Sequence, residues 1–298
     1  MRPNFIGLGA QKCASTWLRR VLQDHPDTYV GAPREIDFFS SYYDRGFQWY
    51  EANFAAAARK SAVGEISPSY FPDSDAPARA HAYNPGFRII VALRDPIERA
   101  YSNHLHEIRL AQYSGSDLSF EAGLANNPMY VEQSRYATHL SRWLDYFPPG
   151  QILVVLQEEI QADPQREARR VYEFLGISTD HVSGFVEDRA NQSYLPKSRS
   201  REEFLKRSGS LIRKLGMSWL VNALRRTGVV AAIHRGNRLN IREIVPPMRE
   251  ETREKLYQVL GLEALELASV LGRQSLPWKT WARAAGVGLE TVEAKRKL

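Results

Sequence analysis

Four short apolar runs, three of them nearly uninterrupted, constrain the fold of this chain more than any other feature of its sequence. Apolar side chains on both faces are typical of strands in a parallel sheet, because helices then cover both faces. Stretches with helical periodicity alternate with these runs, which predicts an α/β fold with a central parallel sheet flanked by helices. Ligands of such folds bind at the carboxyl ends of the strands. The predicted strands are residues 4–9, 61–66, 88–94 and 151–157, and the predicted helices are residues 15–23, 96–110, 134–146 and 164–175.

The strand signals end after Gly176, and the rest of the chain carries mainly helical patterns. We therefore predict one domain over residues 1–285, with a helical C-terminal part over about residues 200–281. Residues 286–298 are charged and lack a complete apolar face, so we expect a charged tail there.

The cysteine content and the hydropathy exclude several classes of protein. Cys13 is the only cysteine among 298 residues, which excludes an intramolecular disulfide and a four-cysteine metal site. The first residues are too polar for a signal sequence, and no run reaches the roughly 20 apolar residues of a membrane-spanning helix. We therefore expect a soluble, cytoplasmic protein.

The positive charge of the chain is concentrated in one tract. Residues 199–242 contain eleven Lys or Arg residues against two Glu, whereas the whole chain has a net charge of +6. Such a tract suits nucleic acid, an anionic membrane, a phosphorylated ligand or a solvated helix face, so its sign selects none of them. Amphipathic periodicity around Trp219 leaves peripheral membrane contact open.

The junction between the first strand and the first helix has the composition of an anion site. A strand that runs into a helix presents backbone N–H groups and the positive end of the helix dipole. Lys12 adds a charge there, and Ser15 and Thr16 add hydroxyl donors. The spacing fits neither G-x-x-x-x-G-K-[ST] nor G-x-G-x-x-G, which argues against the two commonest nucleotide loops. A tight turn without a ligand is the alternative.

Residues 12–16, Lys-Cys-Ala-Ser-Thr, resemble the 5′-phosphosulfate loop of sulfotransferases, which usually reads Lys-x-Gly-Thr-Thr or Lys-x-Gly-Thr-Ser. The resemblance implies that the loop binds the 5′ end of 3′-phosphoadenosine 5′-phosphosulfate, the sulfo donor. An alanine replaces the usual glycine. Because the cysteine lies inside the loop, we expect its alkylation to block the donor. The implied donor ligands are Lys12, Cys13, Ala14, Ser15 and Thr16.

A second segment, RDPIERAYS, resembles the 3′-phosphate segment of the same family, R-[DN]-P-x-x-R-x-x-S. An arginine at the end of a strand can hold phosphate oxygens through its planar fork of donors. The resemblance implies that Arg94 and Ser102 bind the 3′-phosphate of the donor and that Arg99 is the more structural arginine. A salt bridge to neighbouring residues is the alternative for Arg94.

The segment REIDFF resembles the K-E-x-x-F-F segment of glycosaminoglycan sulfotransferases and related bacterial enzymes, in which the glutamate is the catalytic base. Glu35 would then accept the proton of the acceptor, with Arg34 in place of the lysine. A surface glutamate paired with an arginine is the alternative. In GEISPSY, which resembles the family's G-E-K-[ST]-P-x-Y, Ile66 replaces a lysine. Lys12 would then carry more of the charge stabilisation at the leaving phosphate.

Three further residues are candidates by resemblance. His106 fits a family pattern S-x-x-x-H that begins at Ser102, which favours it over His104 as a substrate contact or an auxiliary base, with an ordinary helix-surface histidine as the alternative. The segment NQSYLPKSR resembles the loop that closes over the nucleotide. It implies Lys197 and Arg199 as phosphate ligands, with a solvated loop as the alternative.

The resemblance covers roughly residues 4–281 and implies a P-loop-like sulfotransferase with a helical C-terminal extension, without a metal and without a nucleic-acid partner. The expected acceptor is a hydroxyl or amine of a small molecule, lipid or carbohydrate, and neither the acceptor nor the oligomeric state follows from the sequence. Two alternatives stay open. One is a nucleotide-dependent phosphotransferase, against which the missing G-K-[ST] argues, and the other is a basic membrane- or nucleic-acid-binding module without catalysis.

Overall fold

The computed structural model describes residues 1–110, 118–187, 194–196 and 238–286. The chain divides into two compact units. The first comprises Met1–His104, Glu121–Ala190 and Met248–Leu298, and the second comprises Leu105–Phe120 and Asn191–Pro247.

A parallel sheet of five strands forms the centre of the first unit, which confirms the predicted α/β fold. The order of the strands is β2-β3-β1-β4-β5, so β1 lies between β3 and β4. The chain thus leaves β1 towards one side of the sheet and later crosses to the other side, and the ends of these central strands form the crevice in which such folds bind ligands. The strands are β1 (Phe5–Gly9), β2 (Thr28–Val30), β3 (Ala62–Ile66), β4 (Arg88–Leu93) and β5 (Ile152–Leu156).

Strands β1 and β3 are buried along their whole length. Helices cover both faces of the sheet, as the continuous apolar runs require. The described helices are α1 (Ser15–Asp24), α2 (Phe38–Ser41), α3 (Gly46–Ala52), α4 (Ala76–Tyr83), α5 (Pro96–Arg109), α6 (Phe120–Asn126), α7 (Met129–Glu132), α8 (Tyr136–Leu144), α9 (Gln157–Ala162), α10 (Pro164–Leu175), α11 (Ile241–Ile244), α12 (Glu250–Val270) and α13 (Lys279–Ala284).

The bounds of α10 show how local sequence sets a helix. The Asp163 carboxylate accepts a hydrogen bond from the N–H of Arg166 at 2.9 Å, and Pro164 occupies the first turn, where its missing N–H costs nothing. The helix ends at Gly176, which adopts a left-handed conformation with φ 65°.

The C-terminal helices of the first unit pack on one another. Helix α12 packs against α8 and α13. Trp278, at the start of α13, is completely buried. The described part of the predicted helical extension is therefore helical mainly in α12 and α13, and residues 287–298 lie outside the described part of the chain.

The second unit contains a two-stranded antiparallel sheet, formed by β6 (Tyr194–Pro196) and β7 (Arg238–Asn240). Helix α11 follows β7 directly. Most of the basic tract lies outside the described residues. Within those residues, no helix has both the length and the apolar character that crossing a bilayer requires.

Candidate active site

The loop between β1 and α1 lies at the carboxyl end of β1, the middle strand of the sheet. Lys12 and Ala14 both adopt left-handed conformations, with φ 71° and φ 65°. No side chain among the described residues caps α1 at Ala14. The first N–H groups of α1, next to Ser15 and Thr16, therefore carry the positive end of the helix dipole at the mouth of the loop, which is the geometry of an anion site.

The side chain of Cys13 lies in the core and is not available to bind an anion. Its side chain is completely buried, and its Sγ lies 3.7 Å from the hydroxyl oxygen of Tyr136. Burial raises the pKa of the thiol to about 11. The expectation that alkylation of Cys13 blocks the donor is therefore wrong, because the thiolate is scarce and enclosed by the core. Cys13 stays a donor-binding candidate through its backbone alone.

Arg94 brings the second motif to the same place. It follows the last residue of β4, and its Nη1 lies 3.5 Å from the carbonyl oxygen of Lys12, to which it donates. The Nε of Arg94 is buried and has no hydrogen-bond partner among the described residues. Such an unsatisfied donor is costly in a folded protein, and a ligand oxygen that accepts from it would remove this cost.

The other two residues of the second motif, Arg99 and Ser102, lie in different surroundings. Arg99 is completely buried and donates to the hydroxyl of Ser134 at 2.7 Å and to the side-chain oxygen of Gln133 at 3.2 Å, so it is structural. Ser102 lies in α5 and is partly exposed. No contact of the described structure assigns it a role, and its binding of phosphate stays a prediction.

Glu35 lies on the segment between β2 and α2. Two arginines tie this segment to α1. Arg19 donates to the carbonyl oxygens of Gly31 and Arg34, at 2.6 and 2.7 Å, and the Arg34 side chain donates to the hydroxyl of Thr16. The segment that carries Glu35 is thus joined directly to the start of α1, next to the loop that contains Lys12.

The carboxylate of Glu35 is surrounded by charges. Glu35 is exposed. Desolvation by the neighbouring groups is nevertheless the largest cause of its raised pKa, and the nearby Asp37 raises it further, whereas Arg34, Arg19 and Lys12 lower it. A raised pKa brings a carboxyl group closer to the range in which it can exchange protons during catalysis. The charge of Lys12 is thus close enough to influence Glu35.

A buried polar cluster at the end of β3 forms hydrogen bonds with the segment that carries Glu35. The Glu65 carboxylate accepts hydrogen bonds from the hydroxyls of Ser67 and Tyr70. Burial raises the pKa of Glu65 to about 7, and these hydrogen bonds oppose that rise. A charged residue inside an apolar strand was the one signal in the sequence that could have revealed this cluster.

The same two hydroxyls also bind the backbone that follows Glu35. Ser67 Oγ accepts from the N–H groups of Ile36 and Asp37, both at 3.0 Å, and the Tyr70 hydroxyl accepts from the N–H of Phe38 at 2.7 Å. Consecutive backbone donors are therefore anchored to one cluster. This anchoring sets the position of Glu35, since the backbone next to it cannot shift without breaking these bonds.

Ile66 belongs to the core. The family motif that this segment resembles has a lysine at this position. The side chain of Ile66 is 2% exposed, and a Cβ on Gly7 would meet its Cγ1 at 2.6 Å. The residue therefore packs over β1 and places no charge in the site. Arg34, through its contact with Thr16, is the cation that the structure brings to the loop instead.

The remaining predicted residues stay predictions. His106 belongs to the second unit, where its Nδ1 lies 2.8 Å from Nη2 of Arg109. His104 is completely buried against Tyr130. Lys197 and Arg199 lie outside the described residues. Among those residues, no group of His, Cys, Asp and Glu side chains could hold a metal ion.

Comparison with known proteins matches residues 2–216 to the family model of the sulfotransferase domain. The chain is 37% identical over 182 residues to mouse heparan sulfate glucosamine 3-O-sulfotransferase 3B1, a match that covers 59% of this chain and 46% of that protein. It is 31% identical over 194 residues to human bifunctional heparan sulfate N-deacetylase/N-sulfotransferase 3, covering 59% of this chain and 22% of that protein. The matched region is thus less than half the length of either relative.

The fold is similar to that in the crystal structure of a sulfotransferase from Alicyclobacillus acidocaldarius. The TM-score is 0.67, with 24% sequence identity, and the match covers 92% of this chain and 97% of that chain. At this level of identity the similarity concerns the fold alone.

We predict that Ala14→Gly stabilises the protein by about 1 kcal/mol, because glycine adopts φ 65° without the steric cost that a Cβ carries. Urea unfolding of the two proteins would measure the difference. Ala10→Gly is the control, since this buried alanine has no left-handed conformation and its replacement should destabilise. A destabilised Ala14→Gly protein would contradict the strain assigned to this loop.

We also predict that Glu65→Gln flattens the pH dependence of stability. Since the pKa of Glu65 is raised from 4.5 to about 7, the stability that this group contributes is present below pH 4.5 and is lost as the pH rises through 7. Glutamine keeps an acceptor but cannot ionise. Urea unfolding between about pH 5 and pH 7 should show a smaller loss in the variant than in the parent. Glu158, with a pKa raised to about 6, contributes a slope to both proteins, and equal slopes would refute the prediction.

Proposed function

This chain belongs to the sulfotransferase domain family, and on that premise we propose that it transfers a sulfo group from 3′-phosphoadenosine 5′-phosphosulfate to a hydroxyl or amine of an acceptor. One observation carries the proposal. Arg94, whose buried Nε has no hydrogen-bond partner in the described part of the chain, converges on the backbone of the Lys12 loop. Two anion-binding segments at one sheet edge suit a donor that carries phosphate at both ends of its ribose.

The donor would be held at two points. Arg94 and Ser102 would bind the 3′-phosphate, and Lys12, Ser15, Thr16 and the N–H groups at the start of α1 would bind the 5′-phosphosulfate. Lys197 and Arg199, which lie outside the described residues, stay candidate phosphate ligands by resemblance. In this arrangement the planar guanidinium of Arg94 binds the 3′-phosphate, and the positive end of the α1 dipole faces the 5′-phosphosulfate.

Glu35 would act as the general base. The acceptor oxygen or nitrogen attacks sulfur while its proton passes to the carboxylate of Glu35, and the bond between sulfur and the phosphate oxygen breaks. The electron pair of that bond leaves with adenosine 3′,5′-bisphosphate. Positioning of the two reactants in line would supply much of the rate acceleration, as in phosphoryl transfer. His106 is the second candidate for a substrate contact or an auxiliary base.

Charge that develops on the departing phosphate needs cations nearby. Lys12 is one, and we assign the second to Arg34, because it contacts Thr16 while Ile66 is buried in the core. Arg34 would thereby take the place of a lysine at position 66. Its flexible side chain can leave the hydroxyl of Thr16 when the donor arrives.

For the acceptor we propose a carbohydrate or another small molecule with a free hydroxyl or amine. The names of the two relatives describe sulfation of heparan sulfate, which supports a sugar acceptor for this chain. A lipid acceptor, peripheral membrane contact, the absence of a nucleic-acid partner and a cytoplasmic location are expectations from the sequence. The comparisons do not favour the phosphotransferase alternative.

We predict that adenosine 3′,5′-bisphosphate raises the melting temperature far more than adenosine 5′-monophosphate does. The bisphosphate satisfies both anion sites, and a ligand that binds only the folded state stabilises it. Differential scanning fluorimetry at matched nucleotide concentrations would measure the shifts. Equal shifts by the two nucleotides would contradict the assignment of the 3′-phosphate to Arg94.

We further predict that Glu35→Gln lowers turnover by ~10² to 10⁴ and leaves the affinity for adenosine 3′,5′-bisphosphate nearly unchanged, because the carboxylate acts only on the proton of the acceptor. Lys12→Ala should weaken both turnover and nucleotide affinity, since its charge meets the donor in the ground and transition states alike. Transfer of isotopically labelled sulfo groups in an acceptor screen would measure turnover. Glu266→Gln, on the exposed face of α12, is the matched control. Near-normal turnover of Glu35→Gln would move the search for the base to His106.

A further inference from the structure

The start of α13 is joined to the end of β4 by buried hydrogen bonds. Thr280 donates twice to the carboxylate of Asp95, from its N–H at 3.0 Å and from its hydroxyl at 2.8 Å. Asp95 directly follows Arg94 in the chain, and it is 4% exposed. The carboxylate also accepts from the N–H of Ile97 at 3.0 Å, so one group caps the start of α5 and receives α13.

A second connection reaches the backbone of the same residue. The N–H of Asp95 donates to Oε1 of Glu158 at 3.1 Å, and Oε2 of Glu158 accepts from Nε1 of Trp278 at 2.9 Å. The carboxylate of Glu158 is therefore a bridge between Trp278 and the peptide that links Arg94 to Asp95. Both sides of Asp95, its backbone and its side chain, are held by residues two positions apart in the C-terminal segment.

The ring of Trp278 also supports the phosphate loop. It packs against Tyr136 with ring centroids 5.7 Å apart, and the hydroxyl of Tyr136 contacts Sγ of Cys13 at 3.7 Å. All three side chains are at most 1% exposed. One buried tryptophan is therefore connected to both segments assigned to the donor, through Tyr136 to Cys13 and through Glu158 to the backbone of Asp95.

From these contacts we infer that Trp278 and Thr280 are positioning residues for the 3′-phosphate site, acting on Arg94 through Glu158 and Asp95. The inference rests on the proposed function, because it takes Arg94 as the ligand of that phosphate. Neither residue touches the donor. They hold the backbone from which the guanidinium extends, and a ligand gains from a group that is already fixed in place.

Because these carboxylates are buried, the hydrogen bonds that join the C-terminal segment to Asp95 are sensitive to the loss of a single donor. Asp95 and Glu158 are both acidic and both buried, and each relies on donors from the C-terminal segment. Without the Nε1 donor of Trp278, Oε2 of Glu158 loses its hydrogen bond in a place that water cannot reach easily. Without the hydroxyl of Thr280, Oδ1 of Asp95 keeps only the N–H donors of Ile97 at 3.0 Å and Glu98 at 3.3 Å. The peptide after Arg94 then shifts to restore a partner, and the spacing between Arg94 and the Lys12 loop changes.

The test compares two nucleotides that differ only in the 3′-phosphate, adenosine 3′,5′-bisphosphate and adenosine 5′-monophosphate. Trp278→Phe keeps an aromatic ring against Tyr136 and removes the Nε1 donor, and Thr280→Val keeps the shape and removes the hydroxyl. Dissociation constants from isothermal titration give the preference for the bisphosphate. In both variants we expect this preference to fall by about ten-fold, with the affinity for the monophosphate nearly unchanged.

Two controls separate positioning from loss of stability. Trp143→Phe changes another completely buried tryptophan, whose Nε1 has no hydrogen-bond partner among the described residues, so the preference should stay at the parent value. Thr280→Ser restores the hydroxyl and should restore the preference. Circular dichroism establishes that each variant is folded, and if Trp278→Phe does not fold, the pair Thr280→Val and Thr280→Ser decides the matter alone.

The outcomes distinguish this inference from the function on which it rests. If the parent protein shows no preference for the bisphosphate, the 3′-phosphate assignment fails and takes the inference with it. If the parent shows the preference and Thr280→Val keeps it, or loses affinity for both nucleotides equally, the proposed function survives and the positioning role is refuted.

Discussion

The parallel pairing of β1 with β4 is the constraint on which the candidate site depends. Leu8 is in register with Val91 and Gly9 with Ala92, so both strands end at the same level of the sheet. A Cβ on Gly9 would meet the carbonyl oxygen of Ala92 at 3.2 Å, which leaves little room between the strand ends. The loop after β1 and the arginine after β4 are therefore neighbours in space, although many residues separate them in the chain.

Buried carboxylates then hold each segment of the site in its place. Glu65 anchors the segment that carries Glu35, and Asp95 and Glu158 anchor the segment that carries Arg94. Removing a carboxylate from water is costly, so each of these groups is surrounded by hydroxyl, backbone or indole donors. The raised pKa values of Glu65 and Glu158 record the part of that cost that the donors do not offset. Apolar side chains would stabilise the core as well, but they would not orient the backbone at the sheet edge.

Much of the fold followed from the sequence because burial on both faces leaves a strong pattern. The four predicted strands correspond to β1, β3, β4 and β5. Strand β2 was missed, and so were β6 and β7 beyond Gly176, because three residues each are too few to carry a pattern. The motifs also placed Lys12 beyond the end of a strand and Arg94 at the end of one. The direction of Cys13 was mistaken, since a loop sequence does not say which side chains face the core. Residues that act through others, such as Ser67 and Thr280, bear no mark in the sequence that separates them from ordinary polar residues.

The sequence by itself determined the positions of four strands of the central sheet, the small and polar composition of the first loop, and the residue types available for chemistry. These properties are local, because they depend on side chains within a few positions of one another. The tertiary structure alone decided that Ile66 joins the core while Arg34 reaches Thr16, and that Trp278 contacts both Tyr136 and Glu158. Contacts between residues far apart in the chain depend on sheet register and helix packing, which no stretch of sequence specifies alone. For that reason the Asp95 and Thr280 pair, 185 positions apart, became visible only in the folded protein.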